Sequence, residues 1–340
     1  MEPLTKPRRV RDGDTVAVVS PAFGAVGRWP HRVERATAYL ESLGLNVRLM
    51  PNAARTDAWA SAPPEDRVAD LHAAFADESV AVVLCGIGGN HSNQLLPLLD
   101  FELIREHPKI FQGYSDITVL HWAFAKHAGL GTFYGPALVT ELGEFPQVLA
   151  HTDRYLRAAW FEDTSTVYEP SAVWTDELLD FDRKLDLTRP RELHESEGWL
   201  TIRDGIATGP LFGGCLETIC WHLKGSAAWT TPEGAILLLE TSEEAPPPPH
   251  VDAYLTDLEQ LGVFEAAAGL LVARPKDYSA ENRKLLWEVV ARRTEAAGIP
   301  VLADVEAGHA DPMLTLPFGV TAQLDAGSKT FRLLDPPTAP

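Results

Sequence analysis

Apolar runs alternating with helical periods predict an α/β fold for the first half of the chain, built on a mostly parallel sheet. Three observations support this. The segments Thr15-Val16-Ala17-Val18-Val19-Ser20 and Val80-Ala81-Val82-Val83-Leu84-Cys85 are continuous apolar runs of strand length, as expected of strands covered on both faces. Residues 32–43 and 64–77 place apolar side chains at helical spacing. The strands are joined by these helices rather than by tight turns, and parallel pairing requires such crossovers.

The remaining elements follow in order. Gly44 closes the first helix, and residues 45–50 read as a second strand. Residues 109–112 are short and apolar, and 116–127 have a helical period. Ligands of such sheets bind at the carboxyl ends of the strands, so the loops after Ser20, Cys85 and Gln112 are where a site is expected. Residues 163–198 are polar and acidic, broken by Pro170 and Pro190, yet hold Tyr168, Trp174 and Phe181. They read as a connector with a functional excursion. Beyond it, 199–203, 235–240, 269–273 and 300–304 read as strands, 250–261 and 281–297 as helices, and 321–334 as a hairpin. The prolines at 246–249 form a rigid run that cannot continue a strand. The expected division is 1–165 as an N-terminal α/β domain, 166–198 as the connector and 199–340 as a C-terminal domain.

Composition excludes several classes of function. With 45% apolar and 23% charged residues the chain is ordinary globular protein. Its net charge of −19, from 29 basic and 48 acidic residues, repels a nucleic-acid backbone. Lys6, Arg8, Arg9 and Arg11 are close in sequence but precede a strand, as a solvated tail would. No apolar stretch is long enough to span a bilayer, and the polar start gives no signal peptide. Three cysteines, Cys85, Cys215 and Cys220, fit neither a disulfide framework nor a cysteine zinc site. A cytoplasmic protein without cofactor or metal is expected.

Four segments offer chemistry. In Gly113-Tyr114-Ser115-Asp116-Ile117 a strand runs through a tight turn into a helix, which exposes a serine hydroxyl above a sheet. Ile117 stands where the Gly-x-Ser-x-Gly pattern has its second glycine, and the alternative is that Ser115 and Asp116 cap the helix. Cys85-Gly86-Ile87-Gly88-Gly89-Asn90 is a glycine turn after a buried strand. It suits an oxyanion-binding backbone, with a plain tight turn as the alternative. It is not a dinucleotide fingerprint, because His91 occupies the third glycine position. Glu240 ends the apolar run 235–240, and His309 lies in a loop after a buried strand; a solvated strand end and an exposed histidine are the alternatives. Together they place a hydroxyl, a carboxylate and an imidazole at loop ends of one scaffold, the set needed for nucleophilic acyl transfer.

Gly113-Tyr114-Ser115-Asp116, Phe133-Tyr134-Gly135-Pro136-Ala137, Gly213-Gly214-Cys215-Leu216, the Glu240 strand end and Gly308-His309 resemble the LD-carboxypeptidase family of serine peptidases. The resemblance implies a flavodoxin- or Rossmann-like N-terminal domain, a β-rich α/β C-terminal domain and a homodimer. It implies a catalytic triad of Ser115, Glu240 and His309 and an oxyanion hole formed by the backbone N–H groups of Gly89 and Asp116. Gly88-Gly89-Asn90-His91-Ser92-Asn93, Phe133 to Leu138 and Val173-Trp174-Thr175-Asp176-Glu177 resemble the microcin C self-immunity branch. The implied substrate is an aminoacyl- or peptidyl-nucleotide amide, with Trp174 stacked on the base or else covering the domain junction. Cys215 stands where the family usually has a substrate-contacting Asn, and a thiol is the weaker hydrogen-bonding group. Trimming of murein tetrapeptides and a non-catalytic ligand-binding role are the competing expectations.

Overall fold

The computed structural model describes residues 3–57 and 59–340. Strands β1 (Thr15–Val19), β2 (Asn46–Leu49), β3 (Val80–Cys85), β4 (Ile110–Gly113) and β5 (Phe133–Tyr134) run parallel in the spatial order 2-1-3-4-5. This is the flavodoxin-type order, which opens a crevice at the carboxyl ends where the winding reverses between β1 and β3. Every residue of β3 is buried, as its unbroken apolar run requires. The edge strand β2 carries Asn46 and Arg48 and stays mostly exposed. The crossover helices Pro30–Ser42 and Pro64–Ala76 each open on a proline, at the position where a missing N–H leaves no bond unmade.

The second half is built on a larger sheet. Strands β6 (Val167–Tyr168), β9 (Leu200–Arg203), β10 (Ile206–Cys215), β11 (Ile236–Glu240), β12 (Gly269–Ala273), β13 (Val301–Val305), β15 (Thr321–Asp325) and β16 (Thr330–Leu333) form it in the order 6-16-15-10-11-12-13-9. The central four, β10 to β13, are parallel, and their flanks are antiparallel. A two-stranded piece pairs β7 (Val173–Trp174) with β8 (His194–Glu195). Strand β14 (Leu316–Pro317) leaves this half and pairs antiparallel with β5, extending the first sheet to six strands. The fold is therefore α/β, with a parallel N-terminal sheet and a β-rich C-terminal half.

Several elements differ from the sequence reading. β10 is the longest strand, yet Gly209, Pro210, Gly213 and Gly214 hide it from any β-propensity argument. The prolines at 248 and 249 do not merely end a strand; they form the first turn of helix Pro248–Gln260. Helices Phe101–Glu106 and Ala150–Phe161 were not expected. The helical period at 116–127 resolves into a one-turn segment Ser115–Ile117, helix Thr118–Ala123 and a widened last turn, Phe124–Ala128.

Two further sets of contacts fix the halves to one another. Helix Thr118–Ala123 packs on β10, where Trp122 donates to the Gly213 carbonyl at 2.8 Å and Thr118 Oγ1 accepts from Cys215 N–H at 3.0 Å. The connector folds back over helix Pro30–Ser42. Its buried Asp186 accepts from Arg32 at 3.1 Å and from Arg35, with His31 also 3.1 Å away. Asp182 accepts from Arg28 at 2.9 Å and from the Trp29 indole at 2.8 Å. Replacing Asp186 by Ala removes the nearer carboxylate from the buried Arg32 guanidinium, which keeps the Val139 and Thr140 carbonyls at 2.6 Å but has Glu144 only at 3.6 Å. Urea unfolding of Asp186→Ala should show a loss of about 3 kcal/mol, and limited proteolysis should cut the connector sooner than in the parent.

Candidate active site

Ser115 follows directly on β4 through Tyr114, and its backbone takes φ +62°. A left-handed turn at a non-glycine residue costs roughly 1–3 kcal/mol and persists only where the surroundings enforce it. Here the enforcement is visible. Ser115 N–H donates to the Tyr134 hydroxyl at 3.1 Å, and that hydroxyl donates to Glu240 Oε1 at 2.5 Å. Tyr134 lies at the carboxyl end of β5, in register with Gly113. Glu240 ends β11 in register with Cys215. A single phenol therefore links the serine backbone of one sheet to the carboxylate of the other.

His309 completes the arrangement from the loop after β13. Its Nδ1 lies 2.8 Å from Glu240 Oε2, and its Nε2 lies 3.1 Å from Ser115 Oγ. Gly308 makes this approach possible. It sits at φ +76°, and a Cβ there would lie 2.3 Å from Glu240 Oε2. Gly88 does the same for the serine, because a Cβ on it would meet Ser115 Cβ at 2.8 Å. Asp116 turns its buried carboxylate away from the serine, accepting from His91 N–H at 3.0 Å and Ser92 N–H at 2.9 Å. That ties the glycine turn to the serine turn. Its own N–H belongs to the first helical turn, where no intrahelical acceptor exists.

Burial alone would lower the pKa of the His309 imidazole. The Glu240 and Glu243 carboxylates outweigh it and hold the imidazole well above the usual histidine range. An imidazole between a hydroxyl and a carboxylate can take the hydroxyl proton and bear the resulting charge. Among the described residues no group of three or more His, Cys, Asp or Glu is placed to hold a metal ion, and no helix is long and apolar enough to cross a membrane.

A cavity of about 650 Å³ opens on Ser115 and His309, with Gly88 and Gly89 in its wall. Phe23, Trp29 and Phe181 supply aromatic lining. Phe181 meets Trp29 edge-on at 5.3 Å, and the Arg32 guanidinium backs its ring at 3.9 Å. Deeper in the wall, Arg191 pairs with Asp311 at 2.8 Å and with Glu144 at 2.9 Å. Beside them burial and the Asp311 charge push Glu141 up to about 7, while the Tyr114 hydroxyl donates to it at 2.9 Å.

The structure brings Ser115, Glu240, His309 and Gly89 together, but leaves the two expected substrate-contacting residues outside the cavity. Trp174 is held in the β7–β8 pair, its indole donating to the Glu195 carbonyl at 3.2 Å and its ring flanked by the Arg274 and Arg283 guanidiniums. Cys215 is buried at the end of β10, its thiol 3.8 Å from Glu217 Oε2 and its pKa pushed up by burial. Sequence alone gives no role to Tyr134, which links Ser115 to Glu240 from within the motif Phe133–Ala137, or to Phe181, which lines the cavity from the connector beside the more conspicuous Trp174.

Residues 16–135 match the LD-carboxypeptidase N-terminal domain, and 208–324 match the LD-carboxypeptidase C-terminal domain. The chain belongs to the LD-carboxypeptidase family. Within the family, "Putative carboxypeptidase YocD" of Bacillus subtilis is 34% identical, covering 96% of this chain and 97% of that one. "Probable murein peptide carboxypeptidase" of the same organism is 32% identical, covering 96% and 93%. The microcin C7 self-immunity protein MccF of Escherichia coli is 28% identical, covering 95% and 94%. A structure of MccF in complex with aspartyl sulfamoyl adenosine matches with a TM-score of 0.89 at 26% identity, covering 98% of this chain and 99% of that chain.

Removing the Tyr134 hydroxyl tests the link it makes. Tyr134→Phe leaves Ser115 N–H and Glu240 Oε1 without a partner in a buried site. The expected cost is about 1–3 kcal/mol in chemical unfolding, with turnover falling by up to about 10²-fold as the serine loses its position.

Proposed function

We propose that the protein is a serine amidohydrolase that cleaves the amide joining an aminoacyl or peptidyl carboxyl to a nucleotide. The observation that carries this reading is the unbroken Ser115–His309–Glu240 chain at the mouth of a cavity lined with aromatic side chains. His309 Nε2 takes the Ser115 proton as Oγ attacks the carbonyl carbon. Glu240 holds the imidazole through Nδ1–H and stabilises the imidazolium. The oxyanion faces the backbone N–H groups of Gly89 and Asp116. His309 then gives its proton to the leaving nitrogen, the acyl group stays on Ser115 as an ester, and water reverses the sequence.

Trp29, Phe23 and especially Phe181 take the base-stacking role first expected of Trp174. Phe181 belongs to the connector and faces the same cavity as Ser115. A base stacked on an aromatic ring gains about 1–3 kcal/mol. The competing reading is trimming of murein tetrapeptides with the same triad. It is favoured by the higher identity of the Bacillus subtilis murein relative, 32%, than of MccF, 28%.

The deciding measurement is hydrolysis of aspartyl sulfamoyl adenosine beside a murein tetrapeptide. The nucleotide reading expects the first to be cleaved with the higher kcat/KM, and the reverse order would replace it with the murein reading. Ser115→Ala should lower kcat for the preferred substrate by at least about 10⁴-fold. Phe181→Ala should raise KM for the nucleoside substrate by about tenfold or more while sparing the tetrapeptide. The base must be neutral to act, and Glu240 and Glu243 hold His309 above its ordinary value. kcat/KM should therefore rise with pH through a midpoint above about 6.5.

A further inference from the structure

His309 stands on a short loop, and that loop is held at both ends. At its start Glu306 accepts from Ser171 N–H in the connector at 2.9 Å and from the Trp199 indole at 2.6 Å. Two residues past the histidine, Asp311 exchanges both backbone bonds with Thr175, the residue after β7. Thr175 N–H donates to the Asp311 carbonyl at 2.7 Å, and Asp311 N–H donates back at 2.8 Å. The buried Asp311 side chain is held separately. Arg191 Nη1 lies 2.8 Å from its Oδ2, and among the described residues Oδ1 has no hydrogen-bond partner. Arg191 Nη2 lies 2.9 Å from Glu144, so one guanidinium bridges two buried carboxylates. Glu141 is the third carboxylate there, pushed up to about 7 by burial and by the Asp311 charge. Without Arg191, Asp311 is a buried charge repelled by its neighbours, and it escapes only by drawing the histidine's loop with it.

The same guanidinium sits at the stem of the excursion that walls the cavity. Glu177 accepts from Glu192 N–H at 2.8 Å and from Arg189 at 2.9 Å, which closes residues 177–192 into a loop. Leu178, Leu179 and Phe181 of that loop line the cavity. Arg191 lies between the two closing residues and reaches out of the stem to Asp311. We infer that Arg191 is a positioning residue for the base: acting through Asp311, it sets where His309 stands against Ser115. This rests on the amidohydrolase reading above. The geometry leaves little slack, with His309 Nε2 3.1 Å from Ser115 Oγ and Nδ1 2.8 Å from Glu240. A displacement of about 1 Å takes such a pair out of reach and costs about 10²-fold in rate. The connector is thereby part of the catalytic apparatus as well as a wall of the cavity. Its two roles separate by residue. Phe181 acts on what the cavity holds, whereas Arg191 acts on a proton transfer common to every acyl substrate.

The test uses Arg191→Met, Arg191→Lys, Asp311→Asn and the double variant Arg191→Met/Asp311→Asn in the full chain. kcat and KM are measured on whichever of aspartyl sulfamoyl adenosine and a murein tetrapeptide the parent cleaves. A fluorophosphonate probe gives the rate at which Ser115 is labelled, which needs His309 as base but no recognition of substrate. Arg191→Met should lower kcat and the labelling rate alike, by about 10²-fold, and leave KM within about twofold. Arg191→Lys should fall between the parent and Arg191→Met, since an ammonium keeps the charge but cannot span both carboxylates. The double variant should be no slower than Arg191→Met, because the carboxylate left uncompensated is gone. A folded Arg191→Met that labels at the parent rate overturns the proposal, and so does a raised KM with kcat kept. Losses that multiply in the double variant overturn the path through Asp311. Should Arg191→Met not fold, Arg191→Lys and Asp311→Asn decide, and parent labelling rates in both overturn it. A parent whose Ser115 takes no label overturns the amidohydrolase reading and the proposal with it, an outcome distinct from equal labelling of parent and variant.

Discussion

The hydroxyl of Tyr134 is the point on which the site depends. It accepts from the Ser115 backbone and donates to Glu240, so the serine's strained turn and the carboxylate's orientation are set by the same oxygen. Neither sheet positions both groups alone. Ser115 stands at the carboxyl end of β4, Glu240 at that of β11, and His309 arrives from the loop after β13. The parallel strands of two sheets meet at their carboxyl edges, and the usual ligand crevice of one becomes a cavity shared by both. The docking of Trp122 and Thr118 on β10 keeps the two edges at this distance.

Close approach is bought with missing side chains at Gly88 and Gly308, whose added Cβ atoms would meet Ser115 and Glu240. The strain at Ser115 follows from the same crowding. A turn that points a hydroxyl outward above a sheet leaves its backbone in a conformation that no local preference selects. Tertiary contacts from β5, from the glycine turn and from Asp116 supply what local preference does not.

Much of this was legible in the sequence, for identifiable reasons. Long apolar runs such as Val80–Cys85 and Ile236–Glu240 are nearly self-announcing as buried strands, and both strand ends carry groups of the site. The glutamate ends such a run and the histidine follows one, whereas the serine stands after the short apolar stretch 109–112 and is marked by its tight turn into a helix. β10 was not, because its glycines and proline oppose the pattern that reveals strands, and only its neighbours β11 and β15 make it one. β5 is two residues long, too short for any periodicity, so Tyr134 carried no signal of its function. In the connector the largest aromatic, Trp174, attracted the binding role. Whether an aromatic faces a cavity depends on how the chain folds back, and the anchors that fold it, Asp182 and Asp186, lie far in sequence from their partners Arg28 and Arg32.

Strand β14 gives the architecture a temporal order. Leu316 and Pro317 pair with Tyr134 and Phe133, closing a loop of about 180 residues, a contact whose entropy cost is met only when nearly the whole chain is present. A nascent chain on the ribosome can form β1 to β4 and their helices long before this segment emerges. It cannot yet complete the sheet around Tyr134, and Glu240 and His309 are supplied later still than the serine. The surroundings of Ser115 are therefore completed last although the serine is translated early, and a half-made chain carries it without Glu240, His309 or the strand that pairs with Tyr134.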